Sequence, residues 1–176
     1  ELRLLITSLT IVIPTYNEER NIERCLTSIS KINKPCKFWE VILVDDCSLD
    51  NTVDIALDLR RKLKFDNLKI ISAGERPEDE KWVGKNWACS QASKATDAEW
   101  ILFVDADVSI REDTIKKALY LATDKKIDLL SLAPKIICSN IAEWMVQPIM
   151  ASLIIIGFPI SKTNEKEYKN AFAAGP

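Results

Sequence analysis

With 176 residues, 47% of them hydrophobic, the chain can bury one sizeable core, which argues against a disordered protein. A formal net charge of −2 argues against a nucleic-acid partner, so any anion must meet a local basic cluster or a metal. The absence of histidine removes Ser-His-Asp and Cys-His catalysis and any His-ligated zinc, and five scattered cysteines without a Cys-x-x-Cys pair fit reduced core thiols of a cytoplasmic protein.

Strand and helix signals alternate along the chain. Thr10-Ile11-Val12-Ile13 is a short apolar strand that Pro14 ends. Asn17 is placed to cap a helix from Glu18, in which Ile22, Cys25, Leu26 and Ile29 form one apolar stripe. Val41-Ile42-Leu43-Val44 is a second buried strand, ended by Asp45-Asp46, and a turn-and-cap cluster over 48–51 leads into a helix over 52–62. A third strand covers 68–72, a polar loop 73–85 and a helix 86–95. The fourth strand, 100–104, runs into Asp105-Ala106-Asp107. Ser109 and Glu112 form a capping box for a helix reaching about Thr123, with Ile115, Ala118, Leu119 and Ala122 on one face. A fifth strand is expected over 128–132. Such alternation predicts an α/β protein with a mostly parallel central sheet covered on both faces.

Two segments stand apart. The N-terminus lacks a basic stretch followed by an apolar one, so no signal peptide is read there. Residues 141–160 carry one charge, Glu143, and are long enough to pass for a spanning helix, yet Gln147, Pro148, Gly157 and Pro159 interrupt them. An amphipathic or re-entrant segment at a membrane interface, or one wall of an acceptor groove, is the preferred reading; a buried core helix is the plain alternative. We divide the chain into an α/β domain, 1–135, and an apolar segment, 136–176, expected to face membrane or acceptor. It is expected to continue into a C-terminal part beyond Pro176, since the chain stops just after Ala171-Phe172-Ala173-Ala174.

Ligands of parallel sheets bind beyond the carboxyl ends of the strands. Three polar clusters lie at such ends: 14–18, Asp45-Asp46, and Asp105-x-Asp107. Two carboxylates one residue apart can share a hard cation such as Mg²⁺ or Mn²⁺, which can hold a diphosphate; their plain alternative is a helix-capping acid beside a solvated one. Asp45 or Asp46 can accept hydrogen bonds from a base or ribose, or simply cap the next helix. Tyr16 offers a face for stacking. Lys85, beside Gly84 at a helix start, suits a phosphate or sugar hydroxyl, while Arg76, Lys81 and Lys85 could equally solvate a loop. No dinucleotide or P-loop glycine pattern occurs.

Val12-Ile13-Pro14-Thr15-Tyr16-Asn17-Glu18, Val44-Asp45-Asp46-Cys47-Ser48-Leu49-Asp50 and Asp105-Ala106-Asp107, in that order and spacing, resemble the family 2 glycosyltransferases of GT-A fold. The loop Trp82-Val83-Gly84-Lys85-Asn86-Trp87-Ala88 and the apolar 141–160 segment resemble the membrane-associated hopanoid and carotenoid branch. The resemblance implies a Rossmann-like α/β/α sandwich and a metal-dependent, inverting transfer from a nucleotide-sugar, usually a UDP-sugar, to an acceptor hydroxyl. A lipid-like acceptor and a location at the cytoplasmic face of a membrane accompany that branch. By position, Pro14, Thr15, Tyr16 and Glu18 would contact the nucleoside and Asp45 or Asp46 the uracil or ribose. Lys85 would approach the diphosphate or donor sugar, Asp105 would face ribose or sugar and support the metal, and Asp107 would ligate Mn²⁺ or Mg²⁺. The family's catalytic base is expected beyond Pro176, and a third metal ligand, often histidine, is not found in this chain. Two other readings are a non-catalytic nucleotide-binding or membrane-interaction module and a haloacid-dehalogenase-type phosphohydrolase. The latter rests on the similarity of Asp105-Ala106-Asp107-Val108-Ser109 to its nucleophile signature, which normally closes the first strand.

Overall fold

The structure, a computed structural model, describes residues 6–77, 84–133, 135, 137, 138 and 140–157. The ends of the chain, the 78–83 stretch with Trp82 and Val83, and Pro159 and Ile160 lie outside the described residues. The elements are β1 (Ser8–Thr15), α1 (Ile22–Ser30), β2 (Phe38–Asp45), α2 (Thr52–Lys62), β3 (Leu68–Ser72), α3 (Gly84–Lys94), β4 (Trp100–Phe103), α4 (Thr114–Lys125) and α5 (Ile141–Gly157). They fall into two compact units that divide after Asp128, with α5 in the second.

The first unit holds one parallel sheet of order β3-β2-β1-β4. Side chains alternate across the central strand. Leu9, Ile11 and Ile13 face a core shared with Ile22, Cys25, Leu26 and Ile29 of α1, Leu59 of α2, and Ile115 and Leu119 of α4. Val12 faces the other way, joining Ile42 and Val44 against Trp87, Ala88 and Ala92 of α3. Helices thus cover both faces, and the expected α/β/α sandwich is what forms.

Several local expectations are corrected. Pro14 does not end β1, which continues to Thr15 with Pro14 opposite Val44. Val12 accepts from the Val104 N–H and Thr15 from the Asp46 N–H, each at 2.9 Å, so successive peptide groups alternate sides. The missing N–H of Pro14 therefore falls on the β4 side, where the β1–β4 ladder has already stopped at Val12 opposite Phe103. Asn17 does not cap α1. The helix begins at Ile22, and Asn17 adopts φ +57° in a rim loop. The Ser109–Glu112 capping box does not form either. The helix starts at Thr114, and the nearby Ile110 N–H is taken by Ser28 Oγ at 3.0 Å.

The fifth strand is absent among the described residues: 128–132 is irregular, and Leu129 and Leu132 are exposed. A short apolar run becomes a strand only where a ladder partner meets it, and β4 pairs with β1 alone. In the second unit, α5 contains Pro148, whose carbonyl accepts from Ser152 Oγ at 2.7 Å. Its exposed apolar residues, among them Ile141, Trp144, Met145, Val146, Ile149 and Met150, spread over about two thirds of the helix circumference at 100° per residue. That is wider than the single stripe of an amphipathic helix. Among the described residues, no helix is long and apolar enough to cross a membrane.

All five cysteines are free; Cys25 and Cys36 are buried as core thiols, whereas Cys47 is exposed and Cys89 and Cys138 are half-buried. Burial, aided by the Asp107 charge, pushes the Cys25 thiol up to about 12. Unfolding returns this group to an ordinary thiol, so its contribution to stability is intact below about pH 9 and is lost as pH rises towards 12. A thiol-alkylation time course at pH 8, read by mass spectrometry, should modify Cys47 first and leave Cys25 untouched until the chain unfolds. Leu43→Ala, at a fully buried site of β2, should lower unfolding free energy by about 3 kcal/mol in urea titration.

Candidate functional site

The strands of a parallel sheet end on one edge, and here that edge carries the cleft. The β1–α1 and β2–α2 loops leave neighbouring strands and are sewn together by their own polar groups. The Asn17 N–H donates to Ser48 Oγ at 2.9 Å, and the Leu49 N–H returns a bond to Asn17 Oδ1 at 2.8 Å. The Glu18 N–H donates to Thr52 Oγ1 at 2.7 Å and the Glu19 N–H to Asp50 Oδ2 at 3.1 Å. Asn17 and Cys47 both occupy the left-handed region, at φ +57° and +62°, a costly backbone state that this lacing holds in place. Burial pulls the Asp50 carboxyl up, but hydrogen bonds from Thr52 Oγ1 and from the Glu19 and Thr52 N–H groups outweigh it and leave it below the usual carboxylate range.

A cleft of about 250 Å³ opens beside these loops, lined by Pro14, Thr15, Tyr16, Glu18, Asp46, Lys85, Ala88, Asp105, Ala106 and Asp107. The strand ends of β1, β2 and β4 and the first turn of α3 therefore converge on one hollow. Of the nine residues to which the family resemblance gave a contact (Pro14, Thr15, Tyr16, Glu18, Asp45, Asp46, Lys85, Asp105 and Asp107), the cleft lining leaves out Asp45. Its carboxylate turns back to accept from the Ser48 N–H at 3.0 Å and Ser48 Oγ at 2.6 Å, and it is also within 3.4 Å of Thr15 Oγ1. Asp45 thus shapes the turn, and Asp46 faces the cleft.

Two of the four acids that line the cleft already meet a cation. Asp46, buried at 6% exposure, is paired with Arg76, and Asp105 is paired with Lys85. Arg76 is thus part of the site rather than a solvated loop residue, and no pattern in the sequence marked it. Gly84 belongs here by size: a Cβ at this position would lie 2.7 Å from Asp46 Oδ2 and 3.0 Å from Arg76 Nη2. Only glycine lets α3 begin against that pair. Tyr16 is 57% exposed at the rim, leaving its ring open to a planar ligand.

Asp107 is exposed and Asp105 partly buried, with Ala106 between them turned into the core. The Val108 N–H closes the turn on the Asp105 carbonyl at 3.1 Å. The donors on offer are carboxylate oxygens, the hard ligands that Mg²⁺ and Mn²⁺ take. Among the described residues no cluster of three or more acidic, cysteine or histidine side chains encloses an ion. The set fits a cation held by one or two carboxylates and completed by phosphate oxygens and water, as is usual for Mg²⁺ with a bound phosphate ligand.

Comparison with known proteins gives the arrangement its family. The model of the family described as "Glycosyl transferase family 2" matches residues 10–176. The poly(ribitol-phosphate) beta-N-acetylglucosaminyltransferase TarS of Staphylococcus aureus is 36% identical over 126 residues, covering 72% of this chain and 21% of that protein. The 4,4'-diaponeurosporenoate glycosyltransferase of Staphylococcus aureus is 31% identical over 172 residues, covering 96% of this chain and 42% of that protein. The chain therefore spans well under half the length of these relatives. Among solved structures, S. aureus TarS in complex with UDP-GlcNAc aligns with TM-score 0.53 and 30% identity, covering 76% of this chain and 37% of that one. The mannosyltransferase PcManGT of Pyrobaculum calidifontis, in complex with GDP-Man and Mn²⁺, aligns with TM-score 0.62 and 26% identity, covering 72% and 35%. The phosphohydrolase reading is overturned, because Asp105 follows the fourth strand rather than the first and the family match is to another fold. With the motif-bearing strand ends gathered at one cleft and the sheet aligned on GT-A enzymes, this chain belongs to glycosyl transferase family 2.

Proposed function

We propose that this chain is the donor-binding part of a metal-dependent glycosyltransferase that moves a sugar from a nucleoside-diphosphate donor, a UDP-sugar, to an acceptor hydroxyl with inversion. The observation that carries the reading is the single cleft joining Tyr16, Glu18 and Asp46 to Lys85, Asp105 and Asp107. A stacking face, a buried acceptor group and two carboxylates on one cleft support a ligand that joins a base to a diphosphate. The presence of UDP-GlcNAc in TarS, and of GDP-Man with Mn²⁺ in PcManGT, supports the donor class and the metal.

Each residue then has a task. The Tyr16 ring stacks on the base, and Asp46, steadied by Arg76, accepts from the base or ribose. Lys85 moves from Asp105 to the diphosphate once that carboxylate is engaged, so the donor site keeps its charge balanced in both states. Asp105 and Asp107 would hold Mn²⁺ or Mg²⁺, which when bound would supply charge neutralisation to the diphosphate, more in the transition state than in the ground state. The apolar circumference of α5 suits contact with a lipid-like acceptor or the cytoplasmic membrane surface.

Calorimetric titration with UDP, UDP-GlcNAc and GDP-Man, with and without Mn²⁺, tests the donor class. UDP and its sugar should bind in a Mn²⁺-dependent manner, and no metal effect on any of the three would sink the proposal. Asp107→Ala should abolish the Mn²⁺ enhancement. Lys85→Met should weaken UDP about tenfold while sparing uridine, the result expected for loss of one charge-assisted phosphate contact.

A further inference from the structure

We infer that Arg24 is a positioning residue for the metal site: from outside the donor cleft, it holds the backbone that carries Asp107. This rests on the donor reading proposed above. The Arg24 guanidinium donates from Nη2 to the Asp107 carbonyl oxygen at 2.7 Å. Arg24 does not line the donor cleft. It lines a separate hollow of about 860 Å³ on the far side of the loop, together with Lys31, Arg111 and Lys117.

The bond belongs to a larger attachment. Ser28, one helical turn after Arg24, accepts from the Ile110 N–H at 3.0 Å, so one face of α1 grips the loop at two points. Between them, Cys25 Sγ approaches the Asp105 carbonyl at 3.8 Å. Beyond the helix, the Asn33 N–H donates to the Glu112 carbonyl at 3.0 Å and Asn33 Nδ2 to Asp113 Oδ1 at 2.7 Å. The 105–113 connection is thus fastened to α1 and its C-terminal turn along its length. Arg24 is the fastening nearest the exposed Asp107 carboxylate.

A pair of carboxylates on a turn chelates well only when the backbone that carries them is held, because a loose turn must be ordered when the ion binds. A charged donor on the Asp107 carbonyl provides that order and leaves the carboxylate itself free. The charge of Arg24 acts in the opposite sense. A guanidinium near two metal ligands repels a cation, so through charge alone its removal would tighten Mn²⁺. Positioning predicts the reverse sign, and the two effects separate cleanly.

The test measures free Mn²⁺ by electron paramagnetic resonance, in the presence of saturating UDP, for the chain and for Arg24→Met, Arg24→Lys and Asp107→Asn. UDP affinity in EDTA and melting temperature are measured alongside. Arg24→Met should weaken Mn²⁺ about tenfold, the usual effect of losing an outer-shell partner, with UDP affinity in EDTA unchanged. Arg24→Lys, which keeps a donor, should recover part of the loss. Unchanged or tighter Mn²⁺ in Arg24→Met, alongside loss of binding in Asp107→Asn, overturns the inference and leaves the donor reading standing. Equal losses of Mn²⁺ and metal-free UDP affinity with a lowered melting temperature also overturn it, since they report general loosening. Undiminished Mn²⁺ in Asp107→Asn overturns the donor reading itself.

Discussion

Everything at the cleft depends on β1 pairing in parallel with β2 on one side and β4 on the other. Parallel pairing sends all the carboxyl ends to one edge, and the register decides which residues arrive there together. Thr15 lies opposite Asp45, and Val12 lies opposite Phe103. The last ladder bonds, Asp46 N–H to Thr15 and Val104 N–H to Val12, set Asp46 and the Asp105 turn on either side of Tyr16. A slip of one residue in either pairing would turn one set of acids towards a helix layer.

The register is in turn a consequence of packing. Leu9, Ile11 and Ile13 are buried against α1, α2 and α4, while Val12 is buried against α3. With both faces covered, a shifted strand would have to repack against two helix layers at once. The central strands can therefore end abruptly in acids. The cost of placing Asp45 and Asp46 where they are largely buried is offset by the hydrogen bonds Asp45 receives from Ser48 and by the pairing of Asp46 with Arg76.

Charge at the cleft is arranged in layers. Acids come from the strand ends, and the cations that meet them, Arg76 and Lys85, come from the β3–α3 connection and the first turn of α3. Donor recognition of the proposed kind would exchange the Lys85–Asp105 pair for contacts with the ligand and keep the Arg76–Asp46 pair. Selectivity then arises from what replaces the exchanged pair rather than from bare charge. Gly84 keeps the two halves close, since a side chain there would part Asp46 from Arg76.

By itself the sequence determined the local elements of the first unit and the acids that close its strands. Short apolar runs and helices with one apolar stripe leave readable patterns, as in 68–72 and 52–62, where expectation and structure coincide. It also carried the family, because the motifs around Pro14, Asp45-Asp46 and Asp105-x-Asp107 are contiguous in the chain. What it could not express were relations between distant residues. The recruitment of Arg76, the fastening of the 105–113 connection by Arg24 and the failure of 128–132 to become a strand all depend on which groups meet across 30 residues or more, or on an edge that finds no partner, while the turning of Asp45 away from the cleft depends on the geometry of its own turn with Ser48. A hydrogen-bond partner is chosen by position in space. Only once the sheet had set its register did those positions exist.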